Sequence, residues 1–189
     1  NSGTVTVNGV SNIGISAKTT GSYSGMIELS GGSIAVTASS LANGDIPLGI
    51  YASGNNITVS SITASSITAS PNAVGVYLDG DNTSKTSGLM NISLSSGTGG
   101  KMGIGAYYKG GAFADSGTMN LTSTFTALSG ADPVRPIGIY YGTGSAQNKT
   151  HIEITGASAE IIGMYGSTLA PFVNSGNITL NAKGIGAYF

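Results

Sequence analysis

The chain contains no cysteine and no tryptophan, only one histidine, and only 8% of its residues are charged, against roughly 25% in an ordinary soluble domain. Each shortage excludes something. Without cysteine there is no disulfide framework, no zinc ribbon and no thiol nucleophile. Seven Lys and Arg against eight Asp and Glu cannot build the basic field that releases counterions from a phosphate backbone, so a nucleic-acid partner is not expected. No apolar run approaches the ~18 residues of a transmembrane helix, so direct membrane insertion of this segment is not expected either. The start of the chain shows no basic stretch followed by an apolar one, and so reads as lacking a signal peptide. It opens on Asn1 and not Met, as expected of a processed product or an internal piece.

What remains is small, polar and uncharged. Gly 31, Ser 27, Thr 20 and Asn 14 make up about half of the 189 residues. Yet 40% of the residues are hydrophobic and the mean hydropathy is +0.20, which is not the low-hydrophobicity, high-charge profile of a disordered chain. Glu, Lys, Arg and Gln are few, and Gly, Ser, Thr and Asn are poor in helix interiors. With Val, Ile, Thr and Tyr common, the composition predicts an all-β fold.

Two short motifs alternate along the chain, and repeats of this kind outrank other signals. The first is aliphatic, Gly, apolar, Tyr. It reads Leu48-Gly49-Ile50-Tyr51, Val74-Gly75-Val76-Tyr77, Ile104-Gly105-Ala106-Tyr107, Ile137-Gly138-Ile139-Tyr140, Ile162-Gly163-Met164-Tyr165 and Ile185-Gly186-Ala187-Tyr188. Six of the nine tyrosines sit in it, 23 to 33 residues apart, and Ile13-Gly14-Ile15-Ser16 is a copy without the aromatic. The second motif is polar, aliphatic, small polar, aliphatic. It appears at Thr4–Val7, Ser33–Val36, Asn56–Val59, Asn91–Leu94, His151–Ile154 and Asn177–Leu180, and more weakly at Asn120–Ser123. Such period-two alternation marks a half-buried strand. Gly, Asn and Ser clusters between the motifs, as at 97–100 and 142–144, mark turns.

Two strands per repeat define a coil that cannot bury its apolar face alone but can do so when stacked on copies of itself. The sequence therefore predicts one domain over 1–189, a parallel β-solenoid of about seven coils, roughly 35 Å long at ~4.8 Å per coil. An antiparallel sandwich is the competing architecture, but it does not demand the same tetrapeptide in every unit. The longest gaps, Asp79 to Lys85 and Gly110 to Ser116, are expected to bulge outward as loops. Strict alternation in the tyrosine motif puts the aliphatic, the apolar residue and the residue after Tyr on the core face, with Gly and Tyr opposite. Tyr51, Tyr77, Tyr107, Tyr140, Tyr165 and Tyr188 would then form a ladder along the outside, a candidate docking strip of rigid rings with polar tips.

Residues able to carry catalysis are scattered. Polysaccharide chemistry needs carboxylates held near each other as acid and base, and the acids here fall in different repeats. Only Asp79 and Asp81 are close in sequence, in Leu78-Asp79-Gly80-Asp81-Asn82. That stretch is half of a calcium loop without the downstream bidentate Glu, which makes the pair a weak metal candidate and more simply a solvated turn. His151 opens a strand with no nucleophile in a triad spacing. Arg135, flanked by Pro133 and Pro136, reads as a stiff loop with Asp132 in salt-bridge range. No cofactor is expected. The Asn-x-Ser/Thr triplets lie inside the strand motif and read as strand chemistry. Ser-Ser-Ile-Thr-Ala occurs twice within Ser60–Ala69, too few copies for a separate solenoid. Thr-x-Thr faces, as at Thr4/Thr6 and Thr122/Thr124/Thr126, do not recur in every coil as an ice-binding plane requires.

Gly-Ser-Thr-Asn-rich repeats with Asn-Ile-Thr-Leu strands and Gly-Ile-Gly-Ala-Tyr segments resemble passenger domains of large type V autotransporters. The Ile-Gly-Ile-Tyr form is especially similar to the fusobacterial outer-membrane autotransporter adhesins. The resemblance runs through the whole chain by repeats, not by a catalytic signature. It implies a right-handed parallel β-helix, secretion through a β-barrel, display on the bacterial surface, and adhesion to host cells, other bacteria or glycans. The chain would be an internal piece of a longer passenger, and its ladder tyrosines the contact residues. A carbohydrate-active β-helix enzyme and a pore-forming toxin passenger are the alternatives. A cysteine-free solenoid suits passage through a pore unfolded and coil-by-coil folding afterwards. Exposed sheet edges at the ends of a stack favour end-to-end self-association.

Overall fold

In the computed structural model the described residues are 4–9, 13–18, 27–30, 33–38, 48–54, 57–60, 63–69, 72–80, 83–87, 89–96, 102–110, 112–115, 117–123, 137–142, 145–148, 151–156, 161–167, 172–181 and 184–189. They form twenty strands and, among the described residues, no helix. The strands fall into three sheets, and each strand inside a sheet pairs with the one three places before it and the one three places after. The first sheet holds β1 (Thr4–Gly9), β4 (Ser33–Ala38), β7 (Thr63–Ala69), β10 (Leu89–Ser96), β13 (Thr118–Ser123), β16 (His151–Gly156) and β19 (Ile178–Leu180). The second holds β2 (Ile13–Lys18), β5 (Leu48–Ser53), β8 (Asn72–Asp79), β11 (Met102–Lys109), β14 (Ile137–Tyr141), β17 (Ile161–Gly166) and β20 (Gly184–Tyr188). The third is six-stranded: β3 (Ile27–Ser30), β6 (Ile57–Ser60), β9 (Thr83–Ser87), β12 (Ala112–Asp115), β15 (Ser145–Asn148) and β18 (Phe172–Asn174). Pairing is parallel in the first sheet, as in β1 on β4 and β13 on β16, in the second, as in β8 on β11, and in the third, as in β12 on β15. This sets aside the antiparallel sandwich.

The sequence motifs correspond to two of the three sheets. Most copies of the alternating motif lie in the first sheet, where Met119, Leu121, Ile152 and Ile154 are at most 1% exposed. Between them, half-buried Asn120 and Glu153 face the other way. One copy lies elsewhere: Ile57–Ser60 belongs to the third sheet, and β7 occupies the first-sheet position. β7 also accounts for the doubled Ser-Ser-Ile-Thr-Ala. Its pairing slips by one residue against β10 between Ile92 and Leu94, and against β4 between Ile34 and Thr37. The extra residue in this segment is therefore absorbed as a β-bulge.

A third sheet is not expected from two strands per repeat, although one of its strands, Ile57–Ser60, carries the alternating motif. Strands β9 and β12 lie where the longest loops were placed, at Asp79 to Lys85 and Gly110 to Ser116. Among the described residues the first six repeats thus have three strands each, not two. β3 and β6 share an Ile-x-aliphatic-Ser pattern, but from β9 on no pattern is common: Thr-Ser-Lys-Thr-Ser, Ala-Phe-Ala-Asp and Ser-Ala-Gln-Asn stack on one another in register.

The second correction concerns the tyrosine motif. Ile50, Ala52, Val76, Leu78, Ala106, Tyr108, Ile139, Tyr141 and Met164 are buried in the core as expected. The aliphatic residue that opens the motif does not join them. Val74, Ile104, Ile137 and Ile162 form their own cluster, with Tyr77, Tyr107, Tyr140 and Tyr165 packed against it. Glycine, not the aliphatic, faces inward. A Cβ on Gly105 would meet the side chains of Met119 and Leu121, and one on Gly138 those of Ile152 and Ile154, all core residues of the first sheet. Period-two alternation therefore breaks at the glycine: two consecutive residues point in, and the aliphatic turns out beneath the tyrosines.

That break explains why the position is glycine. A Cβ on Gly105 would lie 2.6 Å from the carbonyl oxygen of Gly138, and one on Gly138 would lie 2.5 Å from that of Gly163. No real side chain tolerates such an approach to backbone. Gly138→Ala is expected to destabilise the protein by about 1–3 kcal/mol, the usual cost of overpacking. Gly186, with nothing within 4 Å of its added Cβ, provides the control. Gly186→Ala is expected to stay within about 0.5 kcal/mol of wild type. Urea midpoints of the two variants measure the difference, and equal losses would refute the close-approach explanation.

Candidate functional site

The six motif tyrosines occupy one column of the second sheet. Their Cα atoms pair directly, Tyr51 with Tyr77, Tyr77 with Tyr107, Tyr107 with Tyr140, Tyr140 with Tyr165 and Tyr165 with Tyr188. Parallel in-register strands ~4.8 Å apart leave a planar side chain little choice but to lie on its counterpart. Ring centroids are 5.5, 4.8, 4.7, 4.9 and 5.5 Å apart in that order. Planes differ by 11° for the Tyr77–Tyr107 and Tyr107–Tyr140 pairs, and by 30° at the Tyr51 end. Each such contact contributes about 0.5–1.5 kcal/mol beyond the area it buries. The ladder is thus a structural element as well as a surface. Ser16, the partner of Tyr51 in β2, marks where it stops.

The rings are half-buried along most of the column, and Tyr188 is exposed. Beneath them run Val74, Ile104, Ile137 and Ile162, which the tyrosines cover to 6% exposure or less. Two positions beyond Tyr in the strand stand Ser53, Asp79 and Lys109, paired in one column. Lys109 Nζ lies 3.3 Å from Asp79 Oδ2. The lysine side chain is 53% exposed, so this bridge contributes about 0–1 kcal/mol. Its structural effect is to place opposite charges, not like ones, in neighbouring layers. On the first sheet Asn120 Nδ2 donates to the paired Asn91 Oδ1 at 3.0 Å, and Asn181 Nδ2, just past β19, donates to Glu153 Oε1 at 3.0 Å.

Because the ring faces are occupied by one another, a partner meets ring edges and a file of phenolic oxygens. Burial pushes the Tyr77 phenol up to about 12, helped by the neighbouring Tyr107, Asp79 and Tyr51. Tyr107 is raised as well, first by burial and then by Tyr140, with Lys109 pulling the other way. Around neutral pH these groups are hydrogen-bonding hydroxyls, not phenolates.

The other candidates do not gather into a site. Asp79 is engaged with Lys109, while Asp81 lies outside the described residues, as do Asp132, Arg135, Thr124 and Thr126. His151 is half-buried at the start of β16, its backbone N–H donating to the Gly117 carbonyl at 2.9 Å. The two carboxylates whose side chains are described, Asp79 and Glu153, stand on different sheets. Among the described residues no three His, Cys, Asp or Glu lie close enough together to hold a metal ion. Among them also, no helix is long and apolar enough to cross a membrane. What sequence reasoning missed is the aliphatic file under the ladder. The constant Ile/Leu/Val before each Gly was its signal, assigned to the wrong face.

The described geometry defines an all-β protein of stacked parallel strands carrying an outward tyrosine ladder. No protein family, curated protein or solved structure matches the chain.

A phenol whose ionisation is disfavoured in the folded state makes stability fall as pH rises, because the unfolded chain releases the proton first. Stability is therefore expected to be level below the ordinary tyrosine value of 10.0 and to fall between there and about 12, where Tyr77 ionises in the fold. Urea midpoints across this range measure it, and Tyr77→Phe is expected to flatten part of the decline.

Proposed function

We propose that the chain is an adhesin segment of an autotransporter passenger, displayed on a bacterial surface. In this reading it is a right-handed parallel β-helix of about seven coils, one segment of a longer passenger, with the coil stack as a rigid spacer. The tyrosine column and its flanks act as the contact surface. The single observation that carries the reading is the ladder: five consecutive ring contacts, half-exposed, on a scaffold with few charges.

Several features support it. The ladder is rigid before any partner arrives, so little side-chain entropy remains to be lost on binding. Tyrosine is a common anchor at interfaces because it presents a large apolar body and a hydrogen-bonding tip. The flanking Asp79–Lys109 pair adds one position of each sign beside the rings. A row of phenolic hydroxyls repeating at strand spacing suits a partner with repeated hydrogen-bonding groups, such as a glycan or a protein surface on a host cell or another bacterium.

Replacing Tyr107, Tyr140 and Tyr165 together by Ala is expected to weaken attachment of displayed protein to cells and to glycan arrays by about tenfold or more, as loss of interface aromatics does. The matching triple Phe variant keeps the stack but removes the hydroxyls. Intermediate loss in that variant assigns part of the contact to the phenolic oxygens. Unchanged binding by a folded Ala variant would make the ladder purely structural.

A further inference from the structure

We propose that the tyrosine ladder is a site of covalent cross-linking between layers, in which stacked neighbours, above all Tyr107 with Tyr77 or Tyr140, couple through their rings when a one-electron oxidant acts from solvent. This does not depend on what the ladder binds.

Coupling of two phenols needs their ring carbons beside the hydroxyl-bearing carbon to face each other. In the ladder, rings with centroids 4.8 and 4.7 Å apart and planes 11° apart are stacked nearly face to face, which brings the ring carbons of neighbours close together. The backbone holds this arrangement, since Tyr77, Tyr107 and Tyr140 are directly paired across β8, β11 and β14. Partial exposure lets an oxidant reach the rings and lets water take the proton.

The step balances as follows. Each of two tyrosines gives one electron to the oxidant and its phenolic proton to water, leaving two phenoxyl radicals. Unpaired spin on the ring carbons adjacent to C–O pairs to form one carbon–carbon bond. The hydrogens on those two carbons then move to the oxygens, restoring both aromatic rings and both hydroxyls. The net loss is two electrons and two protons per link. The electron acceptor is a solvent oxidant of the ferryl-haem or photo-oxidised metal-complex class.

The molecule contains its own comparison. Tyr108 and Tyr141 are also adjacent, 5.4 Å apart, but their planes are tilted by 56° and they are 0% and 4% exposed in the core. Neither alignment nor access favours coupling there.

The test uses the purified chain at low concentration and, as oxidant, the ruthenium(III) tris-bipyridyl complex formed when the light-excited ruthenium(II) complex gives an electron to persulfate. The monomer fraction is expected to gain dityrosine fluorescence and to lose two hydrogens per link. Peptide mapping is expected to join Tyr107 to Tyr77 or Tyr140. Tyr107→Phe keeps an aromatic ring in the stack but cannot form a phenoxyl radical. It is expected to lower the yield by about half or more, because the two shortest ring contacts share Tyr107. A link closing a loop of this length is expected to raise Tm by roughly 5–10 °C, through restriction of the unfolded chain. Should Tyr107→Phe fail to fold, Tyr140→Phe and the mapping of the wild-type product decide the matter. The proposal is overturned by a monomer fraction without dityrosine, by a yield that rises with protein concentration, or by linkage at Tyr108–Tyr141 with the ladder unreacted.

Discussion

Parallel strands stacked in register bring each side chain against its counterpart one layer on, at a spacing of ~4.8 Å. Everything else follows from that proximity. A charge repeated in successive layers would repel itself, so a chain of this kind keeps few charges. In the column beside the ladder, Ser53, Asp79 and Lys109 follow one another, so the charges that occur there alternate in sign. Groups that satisfy their own kind are favoured instead: Asn120 bonds Asn91, aliphatics pack on aliphatics, and tyrosine rings lie on tyrosine rings.

The glycines couple the two sides of the second sheet. With only a hydrogen at Gly105 and Gly138, the strand brings two successive positions inward, and the first sheet's Met119, Leu121, Ile152 and Ile154 close over them. The residue before each glycine is thereby turned outward. An exposed file of Ile and Val would be a liability, as large apolar patches mark interaction or aggregation sites. The tyrosines remove it by lying across the file, which leaves Val74, Ile104, Ile137 and Ile162 almost covered. Glycine, aliphatic and tyrosine are therefore one device. The glycine permits the break, the aliphatic supplies the outer apolar seat, and the tyrosine covers it while offering its polar edge to water.

Such a ladder differs from an ordinary aromatic patch. Its faces are spent on internal contacts, and it cannot stack a ligand between rings without parting strands. Ring edges, hydroxyls and the chemistry of adjacent phenols remain. Its rigidity comes from the backbone, since displacing one tyrosine requires breaking contacts with the rings above and below. Burial and neighbouring phenols keep Tyr77 protonated well past neutrality, so the central rings present hydrogen-bonding groups and no charge.

Much of this was legible in the sequence, because stacked positions recur as a repeat. Composition pointed to β structure, six copies of one tetrapeptide pointed to stacking, and the fixed place of tyrosine in that tetrapeptide put the rings in one column. The third strand was legible only at Ile57–Ser60, which carries the alternating pattern. Thr83–Ser87, Ala112–Asp115 and Ser145–Asn148 share no pattern, and their strand pairing comes from the layers on either side, not from their own residues. Nor was the facing of the glycine legible. A residue without a side chain carries no hydrophobic signal, so alternation counted through Gly105 assigned Ile104 to the core. Only the approach of the Gly138 carbonyl and of the first sheet's side chains in three dimensions decided that glycine points in and the aliphatic points out. The sequence by itself determined which residues stack; the tertiary structure decided which way they face, because facing depends on what the opposite sheet leaves room for.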